Sequence, residues 1–109
     1  RRRLLAHAPL SQYTSRTLTE LDTLEAEIEK VGQDGYAFDN EEFLPGLFCI
    51  AVLVPSPGGR SNTGIAIQAP SMRMTERNAL DSLPALRRAA SALAAIEAEH
   101  ATTDQPACA

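Results

Sequence analysis

Gly35-Tyr36-Ala37-Phe38-Asp39-Asn40-Glu41-Glu42-Phe43-Leu44-Pro45-Gly46-Leu47-Phe48-Cys49-Ile50-Ala51-Val52-Leu53-Val54-Pro55 is the stretch whose reading decides the fold. A short strand over Tyr36-Ala37-Phe38 leads into an acidic turn, Asp39 to Glu42, and a second turn at Pro45-Gly46. Leu47 to Val54 is the strongest apolar run of the chain and reads as its main strand. Ser56-Pro57-Gly58-Gly59-Arg60-Ser61-Asn62 is turn chemistry throughout, and Thr63 to Ala69, closed by Pro70, reads as a returning strand. Two apolar runs around a glycine-rich loop predict an antiparallel hairpin.

The alternation within that hairpin predicts its register. Pairing Ile50 with Ile67 puts Phe48, Ile50, Val52, Val54, Ile65 and Ile67 on one bulky face. The other face then carries Cys49, Ala51 and Leu53 opposite Gln68, Ala66 and Gly64. A bulky face packs against helices. A face of small residues leaves room for a tightly packed helix or for a ligand.

Helices bracket the sheet. Arg1 to Ala8 reads as the end of a helix stopped near Pro9. Thr17-Leu18-Thr19-Glu20 matches a capping box, and Leu18, Leu21, Leu24, Ile28 and Val31 follow as one apolar stripe. Gly32 and Gly35 can end that helix. Thr75 can cap a last helix with a stripe of Leu80, Leu83, Leu86, Leu93 and Ile96. Pro84 within it is expected to kink or split it. Residues 1–100 are expected to form one domain, with 101–109 a flexible tail.

Composition excludes several function classes. A chain of 109 residues holds one small domain. Its formal net charge of −4 argues against this segment gripping nucleic-acid phosphates itself. Cys49 and Cys108 have no spacing that suggests a disulfide framework or a zinc site, so a reducing, cytoplasmic compartment is expected. No apolar stretch approaches the length of a membrane span, and no membrane partner is expected. A nucleophilic role for Cys49 needs a nearby base, and His7 and His100 lie near opposite ends of the sequence. The alternative is a buried cysteine acting as a small hydrophobe. Asp39, Glu41 and Glu42 form the tight carboxylate cluster. They can wall a pocket, hold a metal or face solvent as a turn. An enzyme using Asp39 or Glu42 as acid or base lacks a second catalytic group, so no enzyme is expected.

Two motifs in series carry a resemblance. Tyr13-Thr14-Ser15-Arg16-Thr17-Leu18-Thr19 resembles the segment before a helix in the effector-binding domain of IclR-family transcriptional regulators. The run Gly35-Tyr36-Ala37-Phe38-Asp39-Asn40-Glu41-Glu42, followed by Pro45-Gly46-Leu47-Phe48-Cys49-Ile50-Ala51-Val52, resembles that family's signature Gly-Tyr-Ala-x-Asp-x-Glu-Glu…Gly-x-x-Cys-Ile-Ala. The resemblance covers about residues 5 to 99 and keeps the order of elements. It implies an α+β fold, GAF-like, with an antiparallel sheet flanked by helices and a small-molecule pocket on one sheet face; this chain would hold the latter half of that domain. By position, Asp39, Leu47, Cys49, Ala66 and Gln68 match effector-binding residues.

The resemblance further implies a small organic-acid or aromatic effector and no cofactor or metal. It also implies a homodimer or tetramer, and DNA binding through an N-terminal helix-turn-helix domain not in this chain. Where the family often carries serines, this chain has Ala66 and Gln68, and Ala69 replaces a glycine. These departures point to an altered or larger effector. The alternative function is a GAF-like dimerisation or interaction module without a ligand.

Overall fold

The computed structural model describes residues 1–103; of the expected tail, 101–109, residues 101–103 continue the last helix and the remainder, with Cys108, lies outside the described residues. Helix α1 (Arg2–Ala6) and helix α2 (Leu21–Asp34) precede strands β1 (Ala37–Asn40), β2 (Leu47–Leu53) and β3 (Gly64–Pro70). Helices α3 (Glu76–Asp81) and α4 (Leu83–Thr103) follow. The strands form one antiparallel sheet in the order β1-β2-β3. Ile50 pairs with Ile67, Ala51 with Ala66 and Cys49 with Gln68, which is the register the alternation predicts.

Burial follows the same alternation. Along β2, Phe48, Ile50 and Val52 are buried while Cys49 and Ala51 are half-buried and Leu53 is exposed. Ile50 and Val54 are fully enclosed. Each such side chain stabilises the fold by about 1.5–3 kcal/mol relative to exposure. Ala79 of α3 and Leu86 and Ala90 of α4 close this core from one side. Phe38 of β1 joins it through a tilted ring contact with Phe48, centroids 5.4 Å apart. Thus α3 and α4 cover the bulky face, and the core is a single layer between sheet and helix.

Gly35 ends α2. It adopts φ +78°, and its N–H donates to the Val31 carbonyl at 2.8 Å. The left-handed conformation costs glycine nothing, whereas a β-carbon is disfavoured there.

Three expectations are corrected. Thr17 does not cap α2: the helix begins at Leu21 with Glu20 at the cap position and no side-chain cap bond. The Thr17 hydroxyl is engaged instead with Glu42, Thr14 and Tyr13, and Leu18 falls ahead of the helix. Secondly, Asp39 and Asn40 belong to β1, because both find ladder partners, Cys49 and Phe48, across the sheet. The last helix splits near Pro84 as expected, the break falling at Ser82, two residues before the proline. Proline then sits in the first turn of α4, where an N–H has no intrahelical acceptor to lose. Finally, the core stripe keeps Leu83, Leu86 and Leu93 and adds Ala79, Ala90 and Ala94, while Leu80 and Ile96 are exposed by 39% and 49%. Alanines in the stripe let helix and sheet approach closely, and of the larger side chains only Leu80 and Ile96 turn outward. Thr75 caps α3 as expected, its side chain accepting from the Asn78 N–H at 3.2 Å.

Candidate functional site

The register of three strands assembles the site. Asp39 pairs with Cys49, and Cys49 with Gln68, so the three side chains stand abreast on the face away from the core. The next row is Ala37, Ala51 and Ala66. Leu47 lies on the same face, two residues before Cys49 in β2. All five residues picked from the sequence therefore share one face. Asp39, Leu47 and Cys49 are half-buried, and Ala66 and Gln68 are exposed.

Burial pushes the Cys49 thiol above its ordinary range, and the Asp39 carboxylate beside it adds to the rise. A hydrogen bond from the Gln68 side chain opposes both. Burial thus favours the protonated thiol, and Cys49 serves as a soft wall and weak donor, with no neighbouring base among the described residues to activate it as a catalytic nucleophile.

The acidic residues beside this row build the local scaffold. Asp39 Oδ1 accepts from the Glu42 N–H at 2.9 Å. Glu42 Oε2 accepts from the Asn40 N–H at 3.2 Å. Burial raises the Glu42 carboxyl most, the Asn40 bond lowers it, and the charges of Asp39 and Glu27 raise it further. Glu41, at φ +57°, turns its side chain the other way. Its Oε1 accepts from the Gly46 N–H at 2.7 Å and from the Ser71 hydroxyl at 3.3 Å, and Arg16 pairs with Oε2 at 3.5 Å. Thr14 donates to the Glu41 carbonyl at 2.5 Å, and Thr17 donates to the Glu42 carbonyl. The Tyr13–Thr17 segment and the acidic turn, remote in sequence, are one hydrogen-bonded unit.

The structural roles of Thr14, Thr17 and Glu41 are not visible in spacing, since they depend on contacts 25 to 30 residues apart. Ala37 was missing from the sequence-derived face because only the β1–β2 pairing puts it beside Ala51. Ala37, Ala51, Leu53 and Gly64 line a groove of about 380 Å³, walled on one side by Val31 and Gly35 at the end of α2. The groove begins one row along from Asp39, Cys49 and Gln68, which do not line it. Among the described residues no group of His, Cys, Asp or Glu is placed to hold a metal ion. No described helix is long and apolar enough to cross a membrane.

An antiparallel sheet with helices on its bulky face and small side chains on the other is an α+β, GAF-like arrangement. The family model described as "Bacterial transcriptional regulator IclR C-terminal" matches residues 1–95. The chain belongs to this family, as the C-terminal, effector-binding part of an IclR regulator. It is 36% identical over 90 residues to the probable transcriptional regulator SauR of Cupriavidus necator, covering 83% of this chain and 36% of SauR. The crystal structure of the C-terminal domain of the Escherichia coli regulator KdgR superposes with a TM-score of 0.78. It shares 32% identity and covers 86% of this chain and 57% of that one. The inducer-binding domain of Acinetobacter PobR, a double mutant in complex with 3-hydroxybenzoic acid, gives a TM-score of 0.78 at 26% identity. That match covers 84% of this chain and 53% of PobR. The chain spans about a third of the length of the curated relatives it matches.

Proposed function

We propose that this chain is part of the ligand-sensing domain of its regulator and binds a small organic-acid or aromatic effector on the sheet face opposite the core. The observation that carries the proposal is the row of Asp39, Cys49 and Gln68 across three strands, left open by every described helix that packs on the sheet. A small-molecule site needs a few polar groups on a mostly apolar wall. Here the wall is Ala37, Ala51, Ala66 and Leu47. The PobR domain, of the same fold, is described as inducer-binding, which supports carrying this chemistry over.

Effector binding would shift a dimer or tetramer between arrangements, and an N-terminal helix-turn-helix domain would read that shift as altered DNA affinity. Asp39 would accept from the effector, Cys49 would fill a soft contact, and Gln68 would donate or accept. With Ala66 and Gln68 in place of two hydroxyls, a compact acid finds fewer donors here and a larger effector finds more room.

The test uses the full-length protein and its operator DNA. A panel of organic acids and aromatics is screened for a change in DNA affinity, and the responding compound is repeated on Ala66→Leu, which fills the middle of the face. At least one compound should shift DNA affinity, and Ala66→Leu should weaken that response tenfold or more. No response from any compound, or a full response in Ala66→Leu, would overturn the proposal. Leu53, 67% exposed on the same face, favours the second reading, an interaction module whose face another part of the protein covers. A silent panel would be its signature.

A further inference from the structure

The polar row has no cation of its own. Asp39 contributes a carboxylate, and the nearby Arg16 is committed to Glu41 at 3.5 Å. A ligand carboxylate placed on this row meets like charge and no compensating guanidinium. The charge has a better position at the far end of the groove. Gly35, Val52 and Leu53 are shared between the 380 Å³ groove and a second hollow of about 260 Å³, which Arg87 and Ser91 of α4 also line.

Gly35 is the lip between the two. A β-carbon there would lie 3.6 Å from Arg87 Nη2, so the guanidinium sits directly against the lip. Among the described residues no carboxylate pairs with Arg87, and Asp34, next to Gly35, is engaged with Lys30 at 3.6 Å. A guanidinium offers a planar fork that matches a carboxylate with two parallel bonds. The groove is apolar where Val31, Ala51 and Leu53 line it, and its volume is in the range of small-molecule sites.

We infer that the groove and Arg87 form an amphiphilic-carboxylate subsite: the apolar body lies over Ala37, Ala51 and Leu53, and the carboxylate reaches over Gly35 to the Arg87 guanidinium. This inference rests on the ligand-sensing function proposed above and specifies where the effector's charge goes. From the Cys49 row to the Leu53 row is four residues of strand, about 13 Å. A ligand long enough to touch both ends therefore presents its donor or neutral end to Asp39 and its anion to Arg87. Ser91, one turn along α4 from Arg87, supplies a hydroxyl to the same hollow.

The probe pair is octanoate and octanamide, equal in length and differing in charge, titrated calorimetrically into the full-length protein and two variants. Octanoate should bind at least tenfold more tightly than octanamide. Arg87→Ala, an exposed helix position, should remove that preference by weakening octanoate tenfold or more while leaving octanamide unchanged. Ala51→Leu, which fills the groove, should weaken both. The inference is overturned by equal binding of the two probes, by octanoate affinity that survives Arg87→Ala, or by no binding of either probe. The sensing function has its own readout. If a different compound shifts DNA affinity and Ala66→Leu abolishes that response while octanoate fails to bind, only the Arg87 subsite falls.

Discussion

Glu42 shows how one carboxylate of the signature serves the fold. Its carboxyl is held above its ordinary value of 4.5, chiefly by burial, with Asp39 and Glu27 adding like charge. The folded state therefore prefers the protonated form. That preference favours folding fully below about pH 4.5 and is lost as pH rises through the raised value. Glu42→Gln keeps a neutral acceptor for the Asn40 N–H at every pH. The variant should be the more heat-stable protein at pH 7, and the gap in Tm should close as pH falls toward 4. A gap that does not vary with pH would show that Glu42 carries no folding-linked proton. At this scale, strand parity put Cys49, Ala66 and Gln68 on one face, and the family resemblance added Asp39 and Leu47 by position; the register of β1 and β2 brings all five to that face. Sequence alone did not reveal that Asp39 and Glu42 bind backbone N–H groups, since a turn and a strand end made of the same residues have the same spacing.

Between elements, Glu41 is the fastener. One carboxylate reaches the Gly46 N–H between β1 and β2, the Ser71 hydroxyl just after β3, and Arg16 ahead of α2. Glu41→Ala removes these charge-assisted bonds while keeping a non-glycine residue at positive φ, so backbone strain is unchanged. The variant should lose about 1–2 kcal/mol in denaturant unfolding, and Glu41→Gln should lose less. A loss within error for Glu41→Ala would mean that the three segments hold their places without it. The hairpin was the most legible element, because bulky and small residues alternate through both strands and a one-residue slip would bury Gln68. The last helix was legible in existence and in its break near Pro84. Its buried face was legible in part: Leu83, Leu86 and Leu93 lie in or against the core, whereas Ala79, Ala90 and Ala94 weigh little in a periodicity and complete it unannounced. The capping box failed for a related reason. Thr17 has a stronger use in tying the Tyr13–Thr17 segment to the acidic turn than in closing a helix end.

The described residues form one sheet with one layer of helices, α3 and α4, on its bulky face. The radius of gyration is 16.3 Å, against about 13 Å for a compact domain of this length. The shortest dimension, 22 Å, fits a sheet and a single layer of helices. The bulky face is closed by α3 and α4, and the opposite face keeps Leu53, Ala66 and Gln68 exposed. Fold class was readable from strand alternation and helical spacing together. The groove at the end of α2 was not, since it arises where the end of α2 meets β1, β2 and the start of β3, and no periodicity links those segments.

Cys49 stands at the centre of that open face, flanked by Asp39 and Gln68. Peptide-resolved alkylation of Cys49 in the full-length protein, with and without a compound that shifts DNA affinity, therefore tests the central claim most directly. Saturating compound should slow alkylation of Cys49 at least tenfold while leaving the labelling rate of Cys108 unchanged. Unchanged labelling of Cys49 under saturation would place the effector elsewhere and contradict the account.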